Sequence, residues 1–215
     1  MMLPFPLSEV DDPAEREAGR MLFAQQTQFI KGVVAMDGLP PGDCIEVCFA
    51  GRSNVGKSSL INALTNQKGL ARASNTPGRT QEINFFSLAD RYLVDLPGYG
   101  FANAPVPVVE KWQKLLKAYL AGRVNLRRAF VLIDSRHGVK PVDEEIMGLL
   151  NSAAVTFQVV LTKADKNKVS QTEAVLAQVR TALGKHPAAF PELVLTSSEK
   201  GTGIETLRAI IAKLS

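Results

Sequence analysis

The sequence predicts an α/β fold: a mostly parallel six-stranded sheet with one antiparallel edge strand and helices on both faces. Three observations carry this prediction. From Glu46 to the C-terminus, short apolar stretches of strand length alternate with amphipathic stretches of helix length, the pattern that βαβ units make. "INFFSLA" and "RYLVDLP" are separated only by a tight polar link, so they read as a hairpin that turns one strand against the others. The glycine-rich "GRSNVGKS" stands where the first apolar stretch hands over to the first helical one.

Taken in order, "MMLPFPLSEVDD" is polar and proline-interrupted, and "DPAEREAGRMLFAQQ" starts a short helix capped by Asp12 with Pro13 at its first position, where an N–H is not needed. Residues 1–42 are expected to be an N-terminal extension, partly flexible, and residues 43–215 the folded domain. Within it, "IEVCFA" is the first strand and "GKSSLINALTN" the first helix. The hairpin follows, then helix "VVEKWQKLLKAYLAG", strand "RAFVLIDS", helix "VDEEIMGLLNSA", strand "TFQVVLTKAD", helix "QTEAVLAQVRTALG", strand "ELVLTS" and helix "GIETLRAIIAKL". Cys44 and Cys48 lie four apart on the first strand, so both are expected to point inward as buried thiols; the spacing suits neither a zinc nor a redox pair.

Composition agrees. At 215 residues, 46% hydrophobic and 21% charged, the chain can bury a core without disulfides or structural metal. No apolar run approaches the roughly 18 residues of a membrane helix, and the N-terminus lacks a basic leader, so a cytoplasmic protein is expected, and a monomer. A net charge of +4 mildly favours an anionic partner.

Gly51, Gly56, Lys57 and Ser58 fit G-x-x-x-x-G-K-[ST] between a strand and a helix, the context that makes this pattern a phosphate-binding loop. Glycines let the backbone wrap closely around phosphates, the helix N-terminus supplies positive potential, Lys57 adds a charge at the β- and γ-phosphates, and Ser58 offers a hydroxyl to Mg²⁺. "LTKAD" ends another strand, and Asp165 there can accept from both N1–H and the 2-amino group of guanine, donors that adenine lacks. Lys163 can lay its stem along the base. "DLPG" offers Asp95 to a Mg²⁺-bound water and Gly98 N–H to a γ-phosphate. "PGRTQ" offers Thr80 as a second Mg²⁺ hydroxyl, and "TSSEKGTG" offers Ser198 N–H to guanine O6.

The ordered set "GRSNVGKS", "TPGRTQ", "DLPGYGFA", "TKAD" and "TSSEKGTG" resembles the translation-factor-related GTPases. "TPGRTQEINFF" with "DLPGYGFA" and "DSRHG" resembles the EngB family, from about Asp43 to the C-terminus. The resemblance implies a single P-loop GTPase domain of Ras-like fold that hydrolyses GTP to GDP with Mg²⁺. It further implies a role in late assembly of the large ribosomal subunit, with ribosomal RNA and proteins as partners, and a link to septation in cell division. It places GTP on Gly51, Arg52, Ser53, Asn54, Val55, Gly56, Lys57 and Ser58, and on Gly78, Arg79, Thr80, Gln81 and Glu82. Further contacts fall on Asp95, Leu96, Pro97 and Gly98, on Thr162, Lys163, Ala164 and Asp165, and on Thr196, Ser197 and Ser198. Mg²⁺ falls on Ser58 and Thr80, and Lys57, Thr80, Asp95 and Gly98 are the catalytic candidates. Tyr99 stands where a Ras-like enzyme has a glutamine that orients the attacking water, so slow hydrolysis, accelerated by a partner or an ion, is expected. K⁺ near Asn54 is the candidate ion, since some related GTPases hold it through an asparagine at this position.

Two other functions fit parts of the pattern: a P-loop metabolic kinase or ATPase, against which Asp165 argues, and a GTPase acting on tRNA or ion transport. Lys111, Lys114, Lys117, Arg123, Arg127 and Arg128 surround one nearby acid, Glu110, and read either as a solvated helix face or as an rRNA-contacting patch. Trp112 reads as a packing residue, His137 as structural or partner-binding, and His186 as a loop residue.

Overall fold

The computed structural model describes residues 5–72, 82–100 and 106–215, with backbone alone for 106–109 and 112. The segment "IEVCFAG" becomes β2 (Ile45–Gly51), buried at six of its seven positions, as a strand covered on both faces must be. Around it the chain builds α1 (Pro13–Phe23), β1 (Thr27–Val33), α2 (Lys57–Thr65), β3 (Ile83–Leu88), β4 (Arg91–Asp95), α3 (Val106–Gly122) and β5 (Leu126–Asp134). It continues through α4 (Pro141–Ser152), β6 (Phe157–Thr162), α5 (Val169–Leu183), β7 (Val194–Leu195) and α6 (Ile204–Lys213). The strand order is β1-β3-β4-β2-β5-β6-β7. β4, β2, β5, β6 and β7 run parallel, while β3 is antiparallel to both β4 and β1. The expected hairpin is β3–β4.

Alternation along β2 feeds two cores. Val47 and Phe49 face one that includes Leu60, Phe130 and Leu207, and Cys48 and Ala50 face another that includes Phe85, Tyr119 and Val131. Both thiols were expected inside. Only Cys48 is buried, its thiol pushed up by burial; Cys44 precedes β2 and is partly exposed.

The sheet has seven strands rather than six, because the expected extension contributes one. Pro6 and Ser8 bond to Leu193 at the β7 side, and Phe5 is buried. α1 then forms on the expected cap, Asp12 Oδ1 accepting from Ala14 N at 2.8 Å, and packs on α6. There a Cβ on Gly19 would lie 2.6 Å from Ala209 N, so only glycine permits this approach. β1 finally pairs with β3 at the opposite edge. Residues 5–33 thus strap the sheet from edge to edge.

β2 sends the chain outward to β4 on one side and to β5 on the other. Open α/β sheets take their ligands beyond the C-terminal ends of the strands at such a reversal. Among the described residues, no helix is long and apolar enough to cross a membrane.

Candidate functional site

The turn from β2 into α2 is shaped by what cannot fit. A Cβ on Gly51 would lie 2.7 Å from Val55 Cγ1 and 3.1 Å from Leu132 Cβ. Asn54 (φ 62) and Gly56 (φ 105) take left-handed backbone, which glycine and asparagine adopt most readily. The end of β6 supports the turn from below: Thr162 Oγ1 donates to Val55 O at 2.7 Å and Lys163 Nζ to Asn54 O at 2.6 Å. α2 then starts at Lys57 with Ser58 in its first turn, where N–H groups have no intrahelical acceptor.

Beside this loop runs the segment that follows β4. Lys57 Nζ donates to Asp95 Oδ1, with both side chains largely buried. Leu96 N reaches Phe49 O at 3.0 Å, Tyr99 N reaches Gly51 O at 3.3 Å, and Ser53 N reaches Tyr99 O at 3.0 Å. Gly98 is pressed against Ser53, whose Oγ would stand 3.1 Å from a Cβ there. Tyr99 does not face the loop: it is buried, and its hydroxyl donates to Asp143 Oδ1 at 2.9 Å. Burial, then Asp143, push that hydroxyl well above its ordinary pKa. The Arg52 guanidinium lies on the same carboxylate, Nε 3.2 Å from Asp143 Oδ2.

Gly78, Arg79, Thr80 and Gln81 lie outside the described residues. Glu82 stands just before β3, its carboxylate where a Cβ on Gly32 would approach to 2.1 Å.

The third part lies past β6. Asp165 Oδ1 accepts from Ser197 Oγ at 2.6 Å, and Lys166 Nζ stands 3.0 Å from Oδ2. Ser197, then Lys166, hold the carboxyl below the usual range. Ala164 N bonds to Thr196 O at 3.0 Å, and Thr196 N to Leu161 O at 2.7 Å, which locks the two loops together. Thr162, Lys163, Asp165 and Ser198 share with Gly56 and Ser59 a groove of about 540 Å³.

Sequence reasoning did not single out Asp134 or Asp143. Asp134, buried at the end of β5, accepts from Lys163 Nζ at 2.9 Å and from Arg136 Nε and Nη2 at 2.9 and 2.8 Å. The signal was a carboxylate closing an otherwise apolar strand, in "DSRHG".

Among the described residues no three His, Cys, Asp or Glu side chains cluster as metal ligands. A cation here must take oxygen from hydroxyls, from one carboxylate and from phosphates, the set Mg²⁺ accepts, and Ser58 and Asp95 fit it. Chemically, the arrangement joins a loop able to hold phosphates to a carboxylate able to read a base with two adjacent donors.

The family described as 50S ribosome-binding GTPase matches residues 46–163. A "Probable GTP-binding protein EngB" of Roseobacter denitrificans is 74% identical over 216 residues, 100% of either chain. The chain belongs to the EngB family. A second EngB relative, from a Ruegeria species, is 74% identical over 215 residues, again 100% of each chain. The crystal structure of a probable GTP-binding protein engB superposes with a TM-score of 0.60 at 26% identity, covering 78% of this chain and 97% of that one. As an EngB protein, the chain is a GTP-binding GTPase with the Ras-like α/β fold expected of its motifs.

The cationic segment is only half a surface. Lys111, Lys114 and Lys117 are exposed on α3. Arg123 instead enters the interior, pairing with Glu46, which is 0% exposed and also accepts from Tyr119 Oη at 2.8 Å. Arg128 lies 3.8 Å over the Phe190 ring and bonds Gln158 Oε1 at 3.0 Å. Arg127 binds the Ser215 carbonyl at 2.8 Å. The Trp112 side chain lies outside the description. His186 packs on Phe157 and meets Asn151 at 2.7 Å.

Proposed function

We propose that this EngB-family GTPase is a GTP-driven switch in late assembly of the large ribosomal subunit, acting in the cytoplasm and linked to septation. GTP lies along the groove, with its phosphates on Gly51 to Ser58 and Gly98 and its base on Lys163, Asp165 and Ser198. Ser58 and Thr80 would hold Mg²⁺, with Asp95 close by, and the ion would supply positive charge against the phosphates. Tyr99 orients no water, so intrinsic hydrolysis is slow until a partner or K⁺ beside Asn54 supplies positive charge.

The observation that carries the ribosomal reading is the lysine row Lys111, Lys114 and Lys117 on α3, close in sequence to the segment that senses the γ-phosphate. The family's description as ribosome-binding supports it. A metabolic kinase or ATPase is disfavoured by Asp165, whose position beside Ser197 suits guanine.

The test is sedimentation with purified large subunits across a salt series. Binding should be tighter with a non-hydrolysable GTP analogue than with GDP. Reversal of all three lysines to glutamate should weaken it and flatten the salt dependence by roughly two to three units of slope. Arg123 is left intact, since reversing it would strand Glu46. Binding indifferent to nucleotide and to these reversals would leave α3 an ordinary solvated face.

A further inference from the structure

Three separate pieces of chain converge on one carboxylate that phosphate chemistry does not require. Asp143, in the first turn of α4, is 0% exposed. Its Oδ1 accepts from Tyr99 Oη at 2.9 Å; its Oδ2 accepts from Lys140 N at 2.9 Å and stands 3.2 Å from Arg52 Nε. Arg52 belongs to the phosphate loop, and Tyr99 directly follows Gly98. The Tyr99 main chain is bound on both sides as well, its N–H by Gly51 O at 3.3 Å and its carbonyl by Ser53 N at 3.0 Å and Ser53 Oγ at 3.4 Å.

We propose that Arg52, Tyr99 and Asp143 form a latch that presets Gly98 against the phosphate loop, so that its N–H stands ready for a γ-phosphate before nucleotide arrives. They are positioning residues, and the proposal rests on the assignment of Gly98 to the γ-phosphate. With both peptide groups of Tyr99 and its side-chain tip fixed, the Cα of Gly98, which lies in the Gly98–Tyr99 peptide plane, is fixed with them, and what stays free is the turn of its own N–H. The contact of Gly98 with Ser53 limits that turn. Gly100, at φ 78, is the first residue past the latch that can swing without side-chain strain. GDP has no group at Gly98, so the latch acts on the difference between the two nucleotides.

The test compares GDP with a non-hydrolysable GTP analogue by titration. Tyr99→Phe removes only the hydroxyl, and Asp143→Asn keeps the shape but removes the charge. If each leaves Gly98 in place about a tenth of the time, affinity for the analogue falls roughly ten-fold, while affinity for GDP changes less than about two-fold. The double variant should lose no more than the worse single one, because the groups act as one unit. Amide exchange at Gly98 and Tyr99 in nucleotide-free protein should rise in both variants. Parallel loss of GDP and analogue, or no loss of either, overturns the latch. Should Asp143→Asn fail to fold, Tyr99→Phe alone decides. Gly98→Ala separates the layers: without a selective loss of the analogue there, the underlying assignment of Gly98 fails; with one there and none in Tyr99→Phe, only the latch does.

Discussion

Asp165 and Asp95 are both carboxylates at the C-terminal ends of parallel strands, yet the protein holds them on different terms. Asp165 rests on neighbours from its own end of the groove: Ser197 at 2.6 Å and Lys166 at 3.0 Å. The groups around it are equally settled, Thr162 on Val55 O and Lys163 on Asn54 O and Asp134. Asp95 instead pairs with Lys57, the residue that should meet the phosphates. In the proposed function a triphosphate would have to exchange this ion pair for contacts of its own. In the proposed function the base would then meet a prebuilt surface, while at the phosphates, beside the preset Gly98, Lys57 and Asp95 would have to change partners, which places that rearrangement at the end where GTP and GDP differ.

The sharpest way to test the prebuilt end is Asp165→Asn. The amide can still accept from Ser197, so the loop stays, but it cannot accept from both guanine donors. Two hydrogen bonds to a charged group amount to roughly 10²- to 10⁴-fold in guanine preference. An amide supplies the donor that the 2-carbonyl of xanthine needs, so competition titrations should show GTP weakened and the xanthosine nucleotide gained. Unchanged GTP affinity would remove Asp165 from the site.

The exchanging end is broken by Lys57→Met. Nucleotide affinity should fall by about 10²-fold, and the nucleotide-free protein should also lose stability, by about 1–3 kcal/mol, because Asp95 keeps its burial and loses its partner. A melt indistinguishable from the parent would mean that the ion pair is not part of the resting protein.

The structure brings the loop from Gly51 to Ser58 and the run from Thr162 to Asp165 together, and both stand out in the sequence because each is a short local motif of a few residues. What stayed hidden depends on distant partners. "TQFIKGV" shows no clean alternation, since β1 is an edge strand exposed over four central positions. Nothing near Arg123 in the sequence reveals Glu46, 77 positions away, so a buried ion pair reads as part of a basic patch. Tyr99 and Asp143 are likewise 44 positions apart.

Asp134 tests whether the prebuilt end needs its foundation. Burial works against charge on this carboxyl, but Arg136 and Lys163 outweigh it and hold the group well below the usual carboxylate range. Because the folded value lies below the unfolded one, the stabilisation is complete above about pH 4 and is lost as pH falls further. Asp134→Asn should flatten this acid limb of the melting profile and, by freeing Lys163, weaken GTP and GDP alike by roughly ten-fold. Loss of GTP binding alone would place Asp134 with the phosphate machinery instead.

Asn54 is where the two ends meet, and it carries the smallest expected effect. Its carbonyl is held by Lys163 from the base side, its backbone is left-handed at φ 62, and its side chain is exposed on the phosphate loop. If that amide helps hold K⁺ beside the phosphates, the ion adds positive charge where charge develops in transfer. Turnover in K⁺ should then exceed that in Na⁺ at matched ionic strength by roughly five-fold, about 1 kcal/mol of barrier. Asn54→Ala removes the amide but also strains the left-handed turn, so a lost ion effect in that variant alone is ambiguous. Asn54→Gly removes the amide and keeps the turn at ease. Both variants should turn over equally in the two salts, with the glycine variant retaining the parent's GDP affinity more closely. A K⁺ preference that survives in Asn54→Gly would show that the ion is held by the loop's main chain and not by the side chain.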